Sequence, residues 1–254
     1  MNIGVCADKR IGYELLRFIF ETDKTPIKFV LTKESSSHKD KIEQLCRNHG
    51  IKCYTNVDCN SKKFQSILIE EQIDIGLLIW WPTIVKKHII QTVKVGFINT
   101  HPSYLPYNRG KHPYYWSVID GTPAGSTLHF IDENIDEGYN LFQERYEVDI
   151  TETGDKIYEK SLKHMEMLFK KSYNNIVMSN YVPKKQNLEI GQFHLAKDIE
   201  QHSKIDLEAK YKGLDLINII RARTFKNNKS AYFLHNNKKY FVRIEIEEDK
   251  GQYN

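Results

Sequence analysis

The chain has 254 residues, of which 40% are hydrophobic and 28% are charged, and its formal net charge is +4. These values are typical of a soluble globular protein with a substantial core. The net charge is too small for the basic stripe of a nucleic-acid-binding protein, and the longest apolar run (75–81) is too short to span a bilayer. The N-terminus has no signal-peptide pattern. We therefore expect a cytoplasmic protein without nucleic-acid or membrane partners.

The first hundred residues predict strands that alternate with helices. Strict alternation with short connections predicts an α/β fold with a Rossmann-like, doubly wound, mostly parallel sheet. Ligands bind such sheets beyond the carboxyl ends of the strands, where Asp8, Trp80, Trp81 and Asn99 fall. The predicted strands cover 2–7, 27–32, 51–54, 75–79 and 96–99, and the predicted helices cover 12–21, 39–48, 64–71 and 83–90.

The later part of the chain predicts a small C-terminal extension. A strand (141–148) and a long helix that begins at Thr153 or Asp155 complete a predicted catalytic domain over residues 1–183. Residues 184–254 are predicted to form an α+β region with a helix (214–223) and a hairpin. The hairpin strands are 231–234 and 239–246, on either side of His235-Asn236-Asn237-Lys238, a turn sequence typical of hairpins.

The first βα turn argues against a dinucleotide enzyme. It contains a single glycine, Gly12, whereas the pyrophosphate fingerprint needs several, and the chain has no P-loop. Lys9 and Arg10 place two cations in this turn, at the mouth of the sheet. They are either solvated surface charges or contacts for an anionic substrate.

The cysteines do not predict a metal site. Four are present, without a CxxC pair and without a histidine at zinc-ligand spacing. We therefore expect free thiols and no metal ion.

Three polar side chains predict acyl transfer without a covalent enzyme intermediate. Asn99 and His101 follow an apolar segment at alternate positions, so both point to the same side of an extended chain. Two prolines then turn the backbone, and Asp136 follows in the loop Ile135-Asp136-Glu137-Gly138. An asparagine can donate to a developing oxyanion, a histidine can move a proton, and an aspartate can set the charge of that histidine.

The segment 96–138 resembles the 10-formyltetrahydrofolate-dependent formyltransferases. That family has an Asn-x-His-Pro-Ser-x-Leu-Pro segment, an Arg-Gly-x-x-Pro turn, a Gly-x-Thr-x-His strand and an Asp-x-Gly loop. The four occur here in that order, at Asn99 to Pro106, Arg109 to Pro113, Gly125 to His129, and Asp136 to Gly138. The resemblance covers about the first 170 residues. The departures are Tyr104, where the family usually has leucine, and Tyr139-Asn140 after the last loop.

The resemblance implies a role for each of the three side chains. Asn99 would hydrogen-bond the formyl oxygen as it becomes an oxyanion, and His101 would share that role and shuttle the proton to the folate nitrogen. Asp136 would raise the pKa of His101 by its charge and help accept the proton that leaves the substrate amine.

The resemblance also implies which residues contact the folate and which support the site. The folate contacts correspond to Ile79, Trp80, Trp81 and Pro82 and to the loop from Asp132 to Ile135, with one of the two tryptophans in the core. We expect His129 to be a structural or supporting residue, His112 to be exposed, and Arg109 to anchor its loop.

The tail bears on which amine is formylated. Methionyl-tRNA formyltransferases carry a C-terminal barrel with a basic face, and glycinamide ribonucleotide formyltransferases end soon after the long helix. The tail here is of intermediate length and resembles that of the sugar N-formyltransferases, which formylate a nucleotide-linked amino-deoxysugar, commonly a dTDP-sugar for surface polysaccharide such as lipopolysaccharide. The substrate contacts predicted on this basis are Lys9, Arg10, Tyr107, Arg221, Arg223, Phe225 and Tyr232.

Several alternatives stay open at this point. Arg221 and Arg223 suit a pyrophosphate and Phe225 and Tyr232 suit a base, but packing explains each as well. Because a two-stranded hairpin is marginal alone, we expect it to contact a second copy in a homodimer. The rival functions are a methionyl-tRNA formyltransferase with a shortened C-terminal domain and a catalytically silent folate or sugar binder. The position of the amine, C3 or C4 of a dideoxyhexose, is left open.

Overall fold

The computed structural model describes residues 1–22, 27–226, 230–249 and 251. Its strands and helices follow the predicted alternation. The strands are β1 (Ile3–Ala7), β2 (Ile27–Leu31), β3 (Lys52–Tyr54), β4 (Ile75–Ile79), β5 (Gly96–His101), β6 (Arg109–Gly110), β7 (Ala124–Phe130), β8 (Asn140–Tyr146), β9 (Phe193–His194), β10 (Ala231–His235) and β11 (Lys238–Val242). The helices are α1 (Lys9–Thr22), α2 (Lys39–Asn48), α3 (Lys62–Glu70), α4 (Lys87–Ile90), α5 (Pro113–Ile119), α6 (Gly154–Val177), α7 (Asp198–His202) and α8 (Gly213–Ala222), with a 3-10 helix at Leu188–Ile190.

Seven strands form one sheet in the order β3-β2-β1-β4-β5-β7-β8. The pairs among β1 to β5 are parallel, and β5 pairs with β7 antiparallel. The strand order reverses at β1, whose neighbours are β2 and β4, which is the topological switch of a doubly wound sheet. The predicted Rossmann-like α/β fold is therefore confirmed.

The chain divides into two compact units, each built from three segments. Unit 1 comprises Met1–His101, Ser126–Gln143 and Met165–Asn187, and unit 2 comprises Pro102–Gly125, Glu144–His164 and Leu188–Asn254. Because compactness is not the same as independent folding, the predicted domains 1–183 and 184–254 stay a prediction.

The core of unit 1 lies where helices cover the parallel strands. Its members include Phe29, Phe64, Leu78 and Phe97, all buried. Gly76 leaves room for Phe97 on the neighbouring strand, since a Cβ atom at Gly76 would lie 2.1 Å from the Phe97 ring. This close packing fixes β4 against β5, the two strands whose carboxyl ends lead into the predicted site.

Helix α4 is shorter than the predicted helix over 83–90. The Asn60 side chain explains the difference, because its amide donates to the carbonyl oxygen of Ile84 (2.9 Å) and its oxygen accepts from the amide of Lys86 (2.7 Å). These backbone groups are thus satisfied without helix, and Lys86 stays extended at φ −79° and ψ 156°.

The tail has the predicted α+β character in its described residues. Asn236 and Asn237 both have positive φ, and the hairpin β10–β11 pairs Ala231 with Val242. The second strand ends at Val242, before the predicted residue 246, and the backbone amide of Ile244 donates to Thr224 Oγ1 (3.2 Å) instead of to a strand.

Candidate active site

The carboxyl end of β5 brings Asn99 and His101 to one site in unit 1. Asn99 is opposite His129 in the antiparallel register with β7, and His101 is opposite Thr127. The His101 side chain is buried, and its ring lies 6.1 Å from the His129 ring between centroids, at 88°. The alternation of Asn99 and His101 along the strand therefore produces the predicted proximity.

The loop after β7 brings Asp136 to the same histidines. Asp136 Oδ2 lies 3.5 Å from His101 Nδ1, and Asp136 Oδ1 lies 3.6 Å from His129 Nε2. The carboxylate is thus placed between two imidazoles, and only 13% of its side chain is exposed. A carboxylate in this position can accept a proton from His101 or stabilise its charged form.

His129 orients Asn99, which fits the supporting role expected of it. His129 is fully buried, and its Nδ1 lies 2.8 Å from the carbonyl oxygen of Phe130. Because a carbonyl can only accept, Nδ1 carries a hydrogen, and Asn99 Nδ2 lies 3.2 Å from Nε2, which accepts from it in the tautomer with a single hydrogen on Nδ1. Asn99 keeps its second Nδ2 hydrogen for another acceptor.

The backbone of the Asp136 loop follows a constrained path. Asp136 has φ 57°, in the left-handed region that few residues other than glycine adopt. A Cβ atom at Gly138 would lie 1.9 Å from the carbonyl oxygen of Phe130, so only glycine fits there. The Asp-x-Gly motif therefore has a structural reason as well as a chemical one.

Gln186 contacts this loop, and sequence reasoning gave it no role. Its Nε2 donates to the carbonyl oxygens of Asp136 (2.9 Å) and Gly138 (2.6 Å). It lies 50 residues beyond Asp136 in the polar stretch Lys184-Lys185-Gln186, where nothing in the sequence distinguishes it from a surface residue.

The residues predicted to contact folate follow β4 and β7 in unit 1. Ile79 ends β4 and is buried, and Trp80 has φ 53° with its amide donating to Thr100 Oγ1 (3.1 Å). Trp81 packs against the core cluster, as expected for one of the two tryptophans, and the Lys33 ammonium lies 5.1 Å from its ring centroid. Pro82 is exposed.

The second predicted folate segment is the loop 132–135. Asp132 is exposed, and its carboxylate accepts from the amide of Asn134 at 2.9 Å, which stiffens the loop. Ile135 is also exposed, at 38%. An exposed apolar side chain next to the partly buried Asp136 offers contact surface to a ligand.

The two cations of the first βα turn are exposed in unit 1. Lys9 has φ 56°, and its amide hydrogen bonds to Asp8 Oδ1 (2.9 Å) and Ser36 Oγ (3.1 Å). Arg10 is in the first turn of α1. Their predicted contact with an anionic substrate stays a prediction.

The arginines predicted for the tail are buried in unit 2. Arg221 donates to the carbonyl oxygens of Asp149 and Glu152, both at 3.0 Å, and to Asn218 Oδ1 at 2.7 Å. Arg223 donates to Glu200 at 2.8 Å. These contacts give both residues a structural role, and their predicted contact with a pyrophosphate stays untested.

The aromatic residues predicted for the substrate are partly buried in unit 2. Phe225 packs against Tyr114 at 5.7 Å between ring centroids, and the Lys239 ammonium lies 3.5 Å from the Tyr232 ring centroid. Tyr107 is partly buried, and its amide donates a hydrogen bond to the carbonyl oxygen of Tyr104 (3.1 Å), which closes a turn. Their predicted contact with a nucleotide stays a prediction.

His112 differs from its expected exposure. It is partly buried, with φ 60°, and its Nδ1 lies 3.5 Å from the Tyr114 hydroxyl. Burial lowers the pKa of His112, and the charge of Arg223 lowers it further.

The four cysteines are free thiols, three of them buried. Among the described residues, no group of three or more histidine, cysteine, aspartate or glutamate side chains has the arrangement of a metal site. No helix in the described ranges is long and apolar enough to cross a membrane.

Comparison with known proteins gives a family for both parts of the chain. The family described as "Formyl transferase" matches residues 21–171, and the family described as "N-formyltransferase dimerization C-terminal domain" matches residues 198–248.

Similar individual proteins include sugar and tRNA formyltransferases. The dTDP-4-amino-4,6-dideoxyglucose formyltransferase of Mycobacterium tuberculosis is 31% identical over 157 residues, which is 61% of this chain and 67% of that protein. The methionyl-tRNA formyltransferase of Rickettsia felis is 30% identical over 202 residues, 79% of this chain and 64% of that protein. The crystal structure of a 4-N formyltransferase from Francisella tularensis has a TM-score of 0.80 and 28% identity, and covers 97% of this chain and 98% of its own.

Proposed function

Because the chain belongs to the formyl transferase family, we propose that it transfers a formyl group from 10-formyltetrahydrofolate to the amine of a nucleotide-linked amino-deoxysugar. The proposed acceptor is a dTDP-3- or 4-amino-dideoxyhexose. The observation that carries the proposal is the convergence of Asn99, His101 and Asp136, with Asp136 Oδ2 3.5 Å from His101 Nδ1.

The chemistry of these side chains suits acyl transfer. When bound, 10-formyltetrahydrofolate supplies a formyl group on nitrogen. Asn99 donates its remaining Nδ2 hydrogen to the formyl oxygen, where negative charge develops as the amine attacks. His101 holds the proton that is delivered to the folate nitrogen as the bond from that nitrogen to the formyl carbon breaks. Asp136 stabilises the charged imidazole through Nδ1 and helps to accept the proton that leaves the attacking amine.

The residues around this centre fit a folate. The partly buried Trp80 offers an aromatic side chain directly after β4, and its positive φ of 53° turns the backbone at this position. A flat, polar-edged ring needs apolar walls and a few hydrogen-bonding backbone groups. The contacts proposed for it are Ile79, Trp80, Trp81, Pro82, Asp132 and Ile135.

The similar proteins support a nucleotide sugar as the acceptor. The relative from M. tuberculosis is named for dTDP-4-amino-4,6-dideoxyglucose, and the F. tularensis structure is a 4-N formyltransferase. Both names place the amine at position 4, so a 4-amino sugar is the first acceptor to test.

A homodimer is part of the proposal. The match to a dimerization domain covers 198–248, and the hairpin β10–β11 in that range exposes Leu234 (48%), Tyr240 (42%) and Phe241 (49%). Exposed apolar side chains on a two-stranded sheet favour a covering partner. Size-exclusion chromatography compares the wild type with the double variant Tyr240→Ser/Phe241→Ser, and we expect the wild type to elute as a dimer and the variant as a monomer. A variant that still elutes as a dimer would contradict a dimer interface at this hairpin.

Methionyl-tRNA is the second candidate acceptor, since the relative from R. felis matches over 202 residues. The described tail has a two-stranded sheet where a tRNA-binding enzyme of the resembled type would have a barrel. The mild net charge of +4 also gives little electrostatic anchor for a tRNA.

One assay separates the candidates. The protein is incubated with 10-formyltetrahydrofolate and, separately, with dTDP-4-amino, dTDP-3-amino and other nucleotide amino-sugars or with methionyl-tRNA, and release of tetrahydrofolate is followed. We expect turnover with an amino-sugar and none with methionyl-tRNA. Turnover with methionyl-tRNA alone would overturn the sugar assignment, and no turnover with any acceptor would overturn the enzyme activity.

A further inference from the structure

We infer that Gln186 is a positioning residue that holds the backbone of the Asp136 loop and thereby sets the distance between the Asp136 carboxylate and His101. The inference rests on the proposed function, because it assigns Gln186 a role in that same reaction.

Gln186 is fixed to the loop by both hydrogens of its amide. Its Nε2 lies 2.9 Å from the carbonyl oxygen of Asp136 and 2.6 Å from that of Gly138, and 6% of the residue is exposed. A flipped amide would place Oε1 against two carbonyl oxygens, so the contacts themselves define the orientation. Oε1 is buried without a hydrogen-bond partner among the described residues, so the amide binds the loop through its donors.

The loop needs such a support. Asp136 has φ 57°, a conformation that persists only where the surroundings determine it. The other side of the loop is already in contact with β7, since Gly138 lies against the carbonyl oxygen of Phe130. Gln186 therefore adds a second set of contacts to the loop, at the residue that carries the carboxylate and two residues beyond it.

The segment that carries Gln186 is itself held in place. Asn140 and Lys184 exchange two backbone hydrogen bonds, at 2.9 and 2.8 Å, as an isolated antiparallel bridge. Gln186 follows Lys184 by two residues, so its side chain starts from a backbone fixed to β8. The position of Asp136 is thus connected to the sheet through Gln186 as well as through its own chain.

The expected consequence is on kcat. The carboxylate lies 3.5 Å from His101 and 3.6 Å from His129, so a small shift of the loop changes both distances. Misplacement of a catalytic group by about 1 Å costs on the order of 100-fold in rate. We expect Gln186→Leu to lower kcat about 10- to 100-fold and to leave the KM of both substrates nearly unchanged.

The matched control is Gln65→Leu. Gln65 lies on α3 in the same unit and also donates its amide to a neighbour, Thr92 Oγ1, at 3.1 Å. We expect Gln65→Leu to leave kcat unchanged. Hydrogen exchange by mass spectrometry gives a readout that does not depend on activity, and amides of residues 132–140 should exchange faster in Gln186→Leu and not in Gln65→Leu.

A double-mutant cycle tests whether Gln186 acts through Asp136. In an Asp136→Asn background, Gln186→Leu should cause little further loss, because the group that it positions has been removed. A purely structural role would lower kcat by the same factor in both backgrounds. If Gln186→Leu does not fold, the same cycle is run with Gln186→Asn, which keeps the amide and shortens its reach.

The outcomes separate this inference from the proposed function. The role of Gln186 alone would be overturned if the wild type is active, Asp136→Asn is impaired, and Gln186→Leu keeps the wild-type kcat. It would also be overturned if Gln186→Leu lowers kcat by the same factor in the wild-type and Asp136→Asn backgrounds. An inactive wild type would overturn the proposed function, and unchanged exchange of 132–140 in Gln186→Leu would then overturn the support of the loop as well.

Discussion

Two groups of polar side chains, one in each unit, are buried or partly buried but differ in the chemistry of their partners. Around His101 in unit 1, a carboxylate and two imidazoles face one another at 3.5 and 3.6 Å. In unit 2, Arg221 directs its guanidinium at backbone carbonyl oxygens that cannot change their protonation state. We therefore expect the first group to affect the reaction and Arg221 to affect stability, because only the first group has partners that can exchange protons with it.

The largest effect is expected for Asn99, the proposed oxyanion donor, which contacts His129 of the first group. Asn99→Ala should lower kcat about 100- to 1000-fold, because one preorganised donor to the formyl oxygen is lost. Steady-state kinetics measures it, with Asn175→Ala as the control, since the Asn175 side chain accepts from the exposed Asn180 Nδ2 at 3.2 Å. An Asn99→Ala enzyme with wild-type kcat would place the oxyanion elsewhere.

A smaller loss is expected when the loop is displaced without touching a reacting group. In Gly138→Ala, the new Cβ would lie 1.9 Å from the carbonyl oxygen of Phe130, so the backbone must move. We expect kcat to fall about 10- to 100-fold and the free energy of unfolding to fall by about 1–3 kcal/mol.

Gly213→Ala is the matched control for that loss, because a Cβ atom at Gly213 would meet nothing within 4 Å. Its kcat should equal that of the wild type. Equal kinetics for the two alanine variants would show that the path of the Asp136 loop does not limit the reaction.

The second group of side chains should affect stability and not the reaction. Arg221→Met removes the donors to the carbonyl oxygens of Asp149 and Glu152 and should lower the free energy of unfolding by about 1–3 kcal/mol, measured in urea, with kcat/KM nearly unchanged. If Arg221→Met is as stable as the wild type but has a strongly raised KM for the nucleotide sugar, Arg221 binds the pyrophosphate and the comparison between the groups fails.

The smallest effect concerns the pH dependence of stability in unit 2. Burial lowers the pKa of His202 below 6.5, and the charge of His194 lowers it further while Asp120 opposes the shift. The unfolded chain then binds more protons than the native one, so stability is full above pH of about 6.5 and declines as the pH falls below it.

His202→Gln tests this sign. Glutamine can still accept from the Tyr115 hydroxyl, which lies 2.7 Å from His202 Nδ1, but it does not titrate. Its melting temperature should fall less between pH 7.5 and 5.5 than that of the wild type, with both pH values chosen about one unit either side of an ordinary histidine pKa. An identical fall would assign the dependence to another group, such as His112.

Local patterns predicted much of the fold and the centre of the site. Alternate residues of a strand point to the same side, so the sequence alone predicts that the side chains of Asn99 and His101 lie on one side of β5. The strands of the doubly wound sheet are predicted from local patterns of the same kind. The hairpin turn at Asn236 and Asn237 was also local, and the structure confirms it.

What escaped prediction depends on side chains distant in sequence. Asn60 shortens the helix expected over 83–90 by satisfying the backbone of Ile84 and Lys86 from 24 and 26 residues away. Gln186 reaches Asp136 across 50 residues. In the sequence, Arg221 suits an anion as well as it suits packing, and only the structure reveals the carbonyl oxygens of Asp149 and Glu152 that it contacts. Such pairings are set by tertiary packing, which no local pattern encodes.

The most direct test is single-turnover transfer of a labelled formyl group. Wild type, Asp136→Asn and His101→Asn are each mixed in excess with labelled 10-formyltetrahydrofolate and dTDP-4-amino-4,6-dideoxyglucose, the sugar named for the M. tuberculosis relative, and the label in the nucleotide sugar is followed by mass spectrometry. We expect rapid labelling by the wild type and labelling at least about 100-fold slower by both variants. Labelling by both variants at the wild-type rate would contradict the assignment of the His101–Asp136 pair as the catalytic centre.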